Sequence, residues 1–483
     1  MQILSPKNFG VYRASEFVEL CVQFVVPLNE LSPKAIFVRV GDRIIHLDLA
    51  PDGQCTGGLV YKANAQYRLG FGLKRFVFIA VAYTGIESKI GSRYVLVRNE
   101  DIGPRVSIPL NAKKNPNGIN VIGSLNYEFG LGEAARGMVQ AVQHAQIPNN
   151  AILAPMVRNS GKSSDFDYTR IGRALSFKIN LFSLNAPDMP LIRKRWPRVF
   201  TNGHYNIGYW YYELPRLPET WIEGFKGLNE VWVASQFVYD AVQAVSPVPV
   251  FLIPPVVAVA VPTDVSRREF NLPEDKLCVL SVFDLNSYRQ RKNPEAAIDA
   301  FKIAYAQNPY LHLVLKVNNA DRNPQPLKIL RERLQGLDYV TLITDVLPRV
   351  ALTRLQSTCD VFISLHRSEG FGLNLAECMA LGKPIIATHW SANVEYMNSA
   401  NSCPVSYTLV KLTETIGPYE KGQTWADPSI EHAAEYLVAL AANPKLRVEM
   451  GEKSKVTIAT RYSLDAVALA VSARYEAIAE AKS

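Results

Sequence analysis

Two glutamates, Glu369 and Glu377, flank Gly370 and Gly372 in the run Asp360-Val-Phe-Ile-Ser-Leu-His-Arg-Ser-Glu-Gly-Phe-Gly-Leu-Asn-Leu-Ala-Glu-Cys-Met-Ala-Leu-Gly-Lys-Pro-Ile-Ile-Ala387. The pattern predicts a short strand, a glycine loop, a helix and a second strand. Gly370 and Gly372 allow close backbone approach. The amides of Phe371, Gly372 and Leu373 would then point outward with the positive end of the helix dipole, which suits phosphate. Glu377, about one turn into the helix, carries a carboxylate able to accept bonds from a diol such as ribose, and Glu369 in the loop is placed to grip sugar hydroxyls beyond the phosphates. Taken alone, the pair also reads as two solvated charges near a helix start.

Other stretches carry chemistry less specifically. Asp284, Asn286, Ser287, Arg291 and Lys292 follow an apolar run that ends at Phe283, a placement that fits either phosphate binding or a solvated basic loop. Trp210 and Glu213 sit where a strand ends: an aromatic face and a carboxylate suit a sugar ring, while a core Trp and a surface Glu fit equally well. His204 lies just upstream, as a substrate contact or a structural histidine. Gly130 and Gly132 make a strand-to-helix turn. Asp165 and Asp167 form a D-x-D able to chelate a metal diphosphate, but they lie in the polar stretch 159–168 and not at a clear strand end, so no metal is expected. Arg193, Lys194, Arg195 and Trp196 combine cations with an aromatic, a composition for resting on acidic lipid headgroups or for a solvated helix end.

These residues need elements to hold them. Residues 1–112 read as β-rich, with alternating runs separated by turns such as Gly41-Asp42 and Asp52-Gly53, which predicts a sandwich-like accessory module. From Gly118 short apolar strands alternate with amphipathic helices, and the rhythm restarts after the proline-rich segment 246–262. The expected architecture is α/β: two Rossmann-like domains, 113–262 (with the terminal helix 464–483) and 263–463, facing a cleft across a proline hinge.

The whole string around Glu369 and Glu377 strongly resembles the E-x7-E signature of family 4 retaining glycosyltransferases of the GT-B fold. The resemblance runs over most of residues 118–483. It implies that Gly130 and Gly132 leave space beside the acceptor, and that Trp210, Glu213 and His204 lie on the acceptor side. It also implies that Lys292 meets the donor diphosphate with Asn286, Ser287 and Arg291 nearby. The commoner family form has an arginine several residues before that lysine; here Asp284, Asn286 and Ser287 occupy the region, so Arg291 or Arg289 is the candidate second cation. The implied catalytic set is Glu369, Lys292 and Glu213, and the donor-binding set is Gly370 to Leu373 with Glu377. The implied reaction is retaining transfer from a nucleotide sugar to a glycan or lipid-linked acceptor, without metal or other cofactor, as in bacterial surface polysaccharide synthesis. Trp390 to Glu395 and Thr424-Trp425 resemble mannosyltransferase-related sequences, which favours GDP-mannose over a UDP-sugar. A sugar-nucleotide epimerase on the same architecture and a catalytically silent carbohydrate-binding scaffold are the rival readings.

Composition bounds the rest. At 483 residues the chain exceeds one compact core, and 48% hydrophobic with 20% charged residues describes a globular protein. The net charge of +8 favours anionic partners, but no zinc-finger, RNA-recognition or Lys/Arg-rich motif points to nucleic acid. Six scattered cysteines without C-x-x-C read as reduced and buried. No run is long and apolar enough to span a bilayer, and the N-terminus lacks the pattern of a secretory signal, so the expected location is the cytoplasm, with peripheral contact at the inner face of the membrane.

Overall fold

A computed structural model describes residues 115–156, 171–172, 175–201 and 203–480, and before them the backbone of strands between Gln2 and Arg98. Within 1–112, expected as a sandwich-like β-rich module, eight strands join in one sheet; the Asp165, Asp167 pair lies outside the described residues. The chain divides into two units, Met1–Pro104 and Arg105–Ser483, and the candidate site lies in the second.

That unit contains two parallel sheets. The first joins β1 (Asn115–Gly123), β2 (Asn149–Leu153), β3 (Phe177–Ser183), β4 (Tyr205–Trp210), β5 (Glu230–Val233) and β6 (Val250–Leu252) in the order β2-β1-β3-β4-β5-β6. Helices α1 (Gly130–His144), α2 (Met189–Arg195) and α3 (Gln236–Gln243) lie between its strands. The second sheet joins β7 (Leu277–Asp284), β8 (Leu311–Asn318), β9 (Val340–Ile343), β10 (Val361–Ser364), β11 (Ile385–Thr388) and β12 (Cys403–Val405) in the order β9-β8-β7-β10-β11-β12. Its connections contain α4 (Arg289–Lys292), α5 (Pro294–Gln307), α6 (Pro324–Leu334), α7 (Arg349–Thr358) and α8 (Leu373–Ala380). A strand covered on both faces reads as an unbroken apolar run, and β7 is buried from Leu277 through Phe283.

Polar residues fix the register of the first sheet. Asn120, Asn180 and Asn206 stand opposite one another on β1, β3 and β4. Asn120 Nδ2 donates to Asn180 Oδ1 at 2.8 Å, and Asn180 Nδ2 to Asn206 Oδ1 at 2.9 Å. All three are buried, so any slip by one residue would leave amides unpaired away from water.

Two departures from the sequence reading matter for the cleft. The segment 246–262 is more than a hinge: Val250–Leu252 is the edge strand β6, and Val256 and Val257 are buried. A run of Val, Phe and Leu next to an open parallel edge gains more by pairing than by linking. Second, β13 (Tyr407–Lys411) and β14 (Thr424–Pro428) form an antiparallel hairpin after β12. Leu412, Tyr419 and Trp425 of this segment pack into one cluster with Trp210, Tyr212 and Trp221 of the first domain. After α9 (Ile430–Ala442) and α10 (Pro444–Tyr462), helix α11 (Leu464–Glu480) returns to the first domain, burying Val467, Val471 and Ile478 against Ile119, Val121 and Tyr209. The chain thus crosses between the domains twice, after β6 and again into α11, and the hairpin adds a packed contact between them.

Asn180→Ala is expected to lower stability by about 1–3 kcal/mol, because it strands a buried acceptor on Asn206. Thermal unfolding checks this; an unchanged midpoint would show that the ladder carries no register energy.

Candidate active site

Where the strands of both sheets end, a cleft of about 350 Å³ opens, lined from the first domain by Gly130, Glu133 and Glu213 and from the second by Lys292, Lys316, Arg349, Glu369, Gly370 to Leu375 and Glu377. The glycine loop after β10 is shaped by close contacts. Gly372 caps α8 in the left-handed region at φ 85°, and a Cβ there would meet Tyr396 Oη at 2.8 Å. At Gly370 a Cβ would stand 2.7 Å from the carbonyl oxygen of Tyr212 in the first domain. The Ser235 hydroxyl donates to the Gly370 carbonyl at 2.8 Å, while Tyr396 Oη donates to Phe371 O at 2.7 Å. Gly372 is therefore required by its left-handed backbone and by the side chains around it, and Gly370 by backbone approach across the domain boundary.

Glu369 lies between two cations. Lys292 Nζ donates to its Oε1, and Arg291 Nη1 stands 3.2 Å from its Oε2. Burial opposes ionisation of Glu369, yet Lys292 and Arg291 hold its carboxyl down at about 2. Arg291 is 3% exposed and donates to Ser368 O at 2.8 Å. Its Nη2 lies 3.7 Å from Glu213 Oε1, and its guanidinium sits 5.8 Å from the Tyr419 ring centroid. Tyr419 in turn donates to Glu213 Oε2 at 3.1 Å. Arg291 thus joins a first-domain carboxylate to the loop carboxylate. Beneath the loop, burial pushes the His366 imidazole down to about 4, with the nearby Glu369 opposing and Lys292 and Arg291 reinforcing. It is neutral at pH 7.

Glu377 is 1% exposed and doubly held, accepting from Gln356 Nε2 at 3.0 Å and pairing with Arg349 Nη2 at 2.7 Å. Arg349 Nε also reaches Glu133 Oε1 on α1, at 3.7 Å, and Arg136 pairs with Glu133 Oε2 at 2.6 Å. Asp284 accepts from the Asn286 amide at 2.8 Å and from Asn319 Nδ2, while Asn286 Oδ1 accepts from Asn323. Asn286 and Ser287 both line the cleft. Lys316, on the β8 end, is fully buried at the cleft wall, where Nζ donates to Asn318 Oδ1 at 2.6 Å. Burial lowers it to about 8 against the pull of Asp284 and Asp345. Among the described residues no carboxylate lies within ion-pair distance of it.

Sequence reading missed Lys316, Arg349, Glu133 and Tyr419. Lys316 interrupts an otherwise apolar strand, Leu311-His-Leu-Val-Leu-Lys-Val, a signal available without a structure; the other three are joined only by folding.

Several expected residues are placed elsewhere. Trp210 is a core side chain, fully buried with its ring 4.6 Å from Phe225, and does not line the cleft. The alternation of β4 turns it toward the cluster under the hairpin. His204 is buried, and Gly132 is packed so closely that a Cβ there would meet Tyr127 O at 2.3 Å; neither lines the cleft, whereas Gly130 does. In the basic run, Trp196 is buried in the core, Arg193 pairs with Glu223 at 2.7 Å and Arg195 donates to Pro155 O. Lys194 and Arg195 are exposed, while Trp196 is turned away from the surface. No described helix is long and apolar enough to cross a membrane. Among the described residues no three His, Cys, Asp or Glu side chains gather as a metal site.

Two Rossmann-like domains facing a cleft define the GT-B fold, and solved structures share it. Sucrose-phosphate synthase from Thermosynechococcus elongatus superposes with a TM-score of 0.56 at 16% identity, covering 76% of this chain and 100% of that one. HepE from Anabaena, in complex with UDP and glucose, gives 0.54 at 12% identity over 75% and 100%. The match to Staphylococcus aureus TarM spans 54% of that protein and 61% of this chain, at 13% identity and a TM-score of 0.44. In sequence, residues 262–457 match the family model described as glycosyl transferases group 1. No curated protein matches the chain.

The buried charges set an acid limit. A histidine held below its ordinary 6.5 resists protonation that the unfolded chain accepts, so His366 costs stability as pH falls from about 6.5 to 4. Glu369, held below 4.5, contributes stability that is lost as pH falls from about 4.5 to 2. His366→Gln is expected to flatten the upper part of this loss, on the order of 3 kcal/mol for a shift of this size. Thermal midpoints measured from pH 7 to 4 check it, and parallel curves for variant and wild type would refute it.

Proposed function

We propose that the chain is a retaining glycosyltransferase that moves a hexosyl group from a nucleotide sugar, GDP-mannose or a UDP-sugar, to a glycan or glycolipid acceptor. Its setting would be bacterial surface polysaccharide synthesis in the cytoplasm, peripherally at the inner face of the membrane. The observation that carries this reading is the convergence of Glu369, Lys292, Glu377 and the glycine loop on one cleft between two Rossmann-like domains. The group 1 match over residues 262–457 supports the same class, and HepE, on the same fold, binds UDP and glucose.

In this mechanism Glu377 holds ribose, the start of α8 and Lys292 receive the diphosphate, and Glu369 orients the sugar. The acceptor hydroxyl attacks C1 on the face from which the diphosphate departs: the new C1–O bond forms as the C1–O(phosphate) bond breaks, and the acceptor proton passes to the leaving phosphate oxygen. Stabilising that developing charge is the main task of the protein. Arg291 is committed to Glu369 and Glu213, so Lys316, on the same wall, is better placed to add positive charge. With Lys292 and a helix end worth about +0.5, these groups balance a donor of about two negative charges without a metal.

Lys292→Ala is expected to reduce kcat/KM roughly 100-fold or more, by analogy with loss of one transition-state donor, as read from nucleotide release in steady-state kinetics. Transfer should persist in excess EDTA; activity lost on chelation and restored by Mg or Mn would replace this mechanism with a metal-assisted one. The transferase reading itself rests on acceptor dependence. Sugar nucleotide consumed at the same rate without acceptor would indicate an epimerase, and none consumed with any acceptor would indicate a scaffold.

A further inference from the structure

Arg349 stands at the beginning of α7 in the second domain and touches carboxylates of both domains. On its own side Nη2 holds Glu377 at 2.7 Å; across the cleft Nε reaches Glu133 at a longer 3.7 Å. Glu133 belongs to the first turn of α1, three residues after Gly130, and is fixed there by Arg136, whose Nη1 donates to Leu125 O at 2.8 Å and to Tyr127 O at 3.1 Å. Burial works against the charge on Glu133, but Arg349 and Arg136 keep its carboxyl below the ordinary range, so it is an anion whenever Arg349 is opposite. A continuous charged chain therefore runs from the backbone of the Leu125–Tyr127 turn to Glu377.

We infer that Arg349 is a positioning residue that couples occupation of the Glu377 site by the donor ribose to closure of the cleft through Glu133. This rests on the glycosyltransferase reading above. The physical reason is competition for one carboxylate. Gln356 and Arg349 already engage both oxygens of Glu377. A ribose diol donating to Glu377 takes part of that capacity, and the guanidinium, which has five donors and a second carboxylate in reach, turns more fully toward Glu133. The longer contact then shortens and draws α1, with Gly130, toward the donor. Because coupling is reciprocal, Glu133 must strengthen nucleotide binding although it lies in the opposite domain and has no direct role at the ribose.

The test is a double-mutant cycle on nucleotide affinity, using UDP and GDP as probes in calorimetry with the full chain: wild type, Glu133→Gln, Arg349→Met and the double variant. Glu133→Gln is expected to weaken binding threefold to tenfold and Arg349→Met about tenfold. The double variant should bind no more weakly than Arg349→Met alone, since the second change acts only through the first residue. Arg349→Lys should restore part of the loss, and thermal midpoints measured alongside separate a folding defect from a binding one. Multiplying fold-changes in the double variant, or Glu133→Gln without effect on nucleotide affinity, overturns the coupling while leaving the donor site in place. A wild-type chain that binds neither UDP nor GDP overturns the functional reading itself, and the coupling with it.

Discussion

The site depends on keeping one buried carboxylate ionised. Glu369 is 8% exposed, and taking such a group out of water without partners would neutralise it. Lys292 and Arg291 prevent this, and each is delivered by a different constraint. Lys292 ends the short helix α4, while Arg291, one residue earlier, turns inward and is itself buried. A buried guanidinium needs more than one acceptor, and it finds Ser368 O and Glu369 in the second domain and Glu213 in the first. The loop carboxylate that would orient a sugar is thus stabilised partly by a residue of the opposite domain.

That dependence explains why so much of the chain is spent on joining the domains. The hairpin β13–β14 places Tyr419 on Glu213 and Gln423 on the Tyr212 hydroxyl, and it buries Trp425 among first-domain aromatics. Ser235 seizes the Gly370 carbonyl, and Gly370 has no room for a side chain because Tyr212 O lies against it. Helix α11 completes the link from the far side, with Arg474 Nε 3.1 Å from Glu230 Oε1. These contacts restrict large separation of the domains and leave smaller motions, on the scale of a side chain changing partners, as the freedom the cleft retains.

The two parallel sheets were legible in the sequence because strands covered on both faces are unbroken apolar runs, and the glycine loop because Gly370 and Gly372 stand between two carboxylates. What lay hidden has a common cause. The Glu133–Arg349–Glu377 chain joins residues 244 positions apart at its ends, and an ion pair between domains leaves no local pattern. Trp210 misled for the opposite reason: an aromatic at a strand end has the same local pattern whether it faces a ligand or a core, and only the packing of the hairpin over it decides. The hairpin itself was obscured because Tyr407-Thr-Leu-Val-Lys and Thr424-Trp-Ala-Asp-Pro are separated by a connection too long for the short-turn signals that announce most hairpins.

On the proposed function, the charge pattern also constrains how an anionic donor would enter. All three basic side chains that follow β7 are already balanced, Lys292 by Glu369, Arg291 by Glu369 with Glu213, and Arg289 by Glu295. A diphosphate arriving near Lys292 therefore competes with a carboxylate instead of meeting a vacant cation. Arg291 cannot answer that competition, since leaving its buried partners would strand two acids; Lys292, partly exposed at the cleft, can. When Lys292 shifts toward phosphate, Glu369 keeps Arg291 and gains a free oxygen, and that oxygen is then available to accept from a sugar hydroxyl. On that reading phosphate binding and sugar orientation would be consecutive uses of one ion pair: the resting pair conceals the carboxylate until a diphosphate releases it, which would favour ligands carrying both groups over a free sugar or a free phosphate.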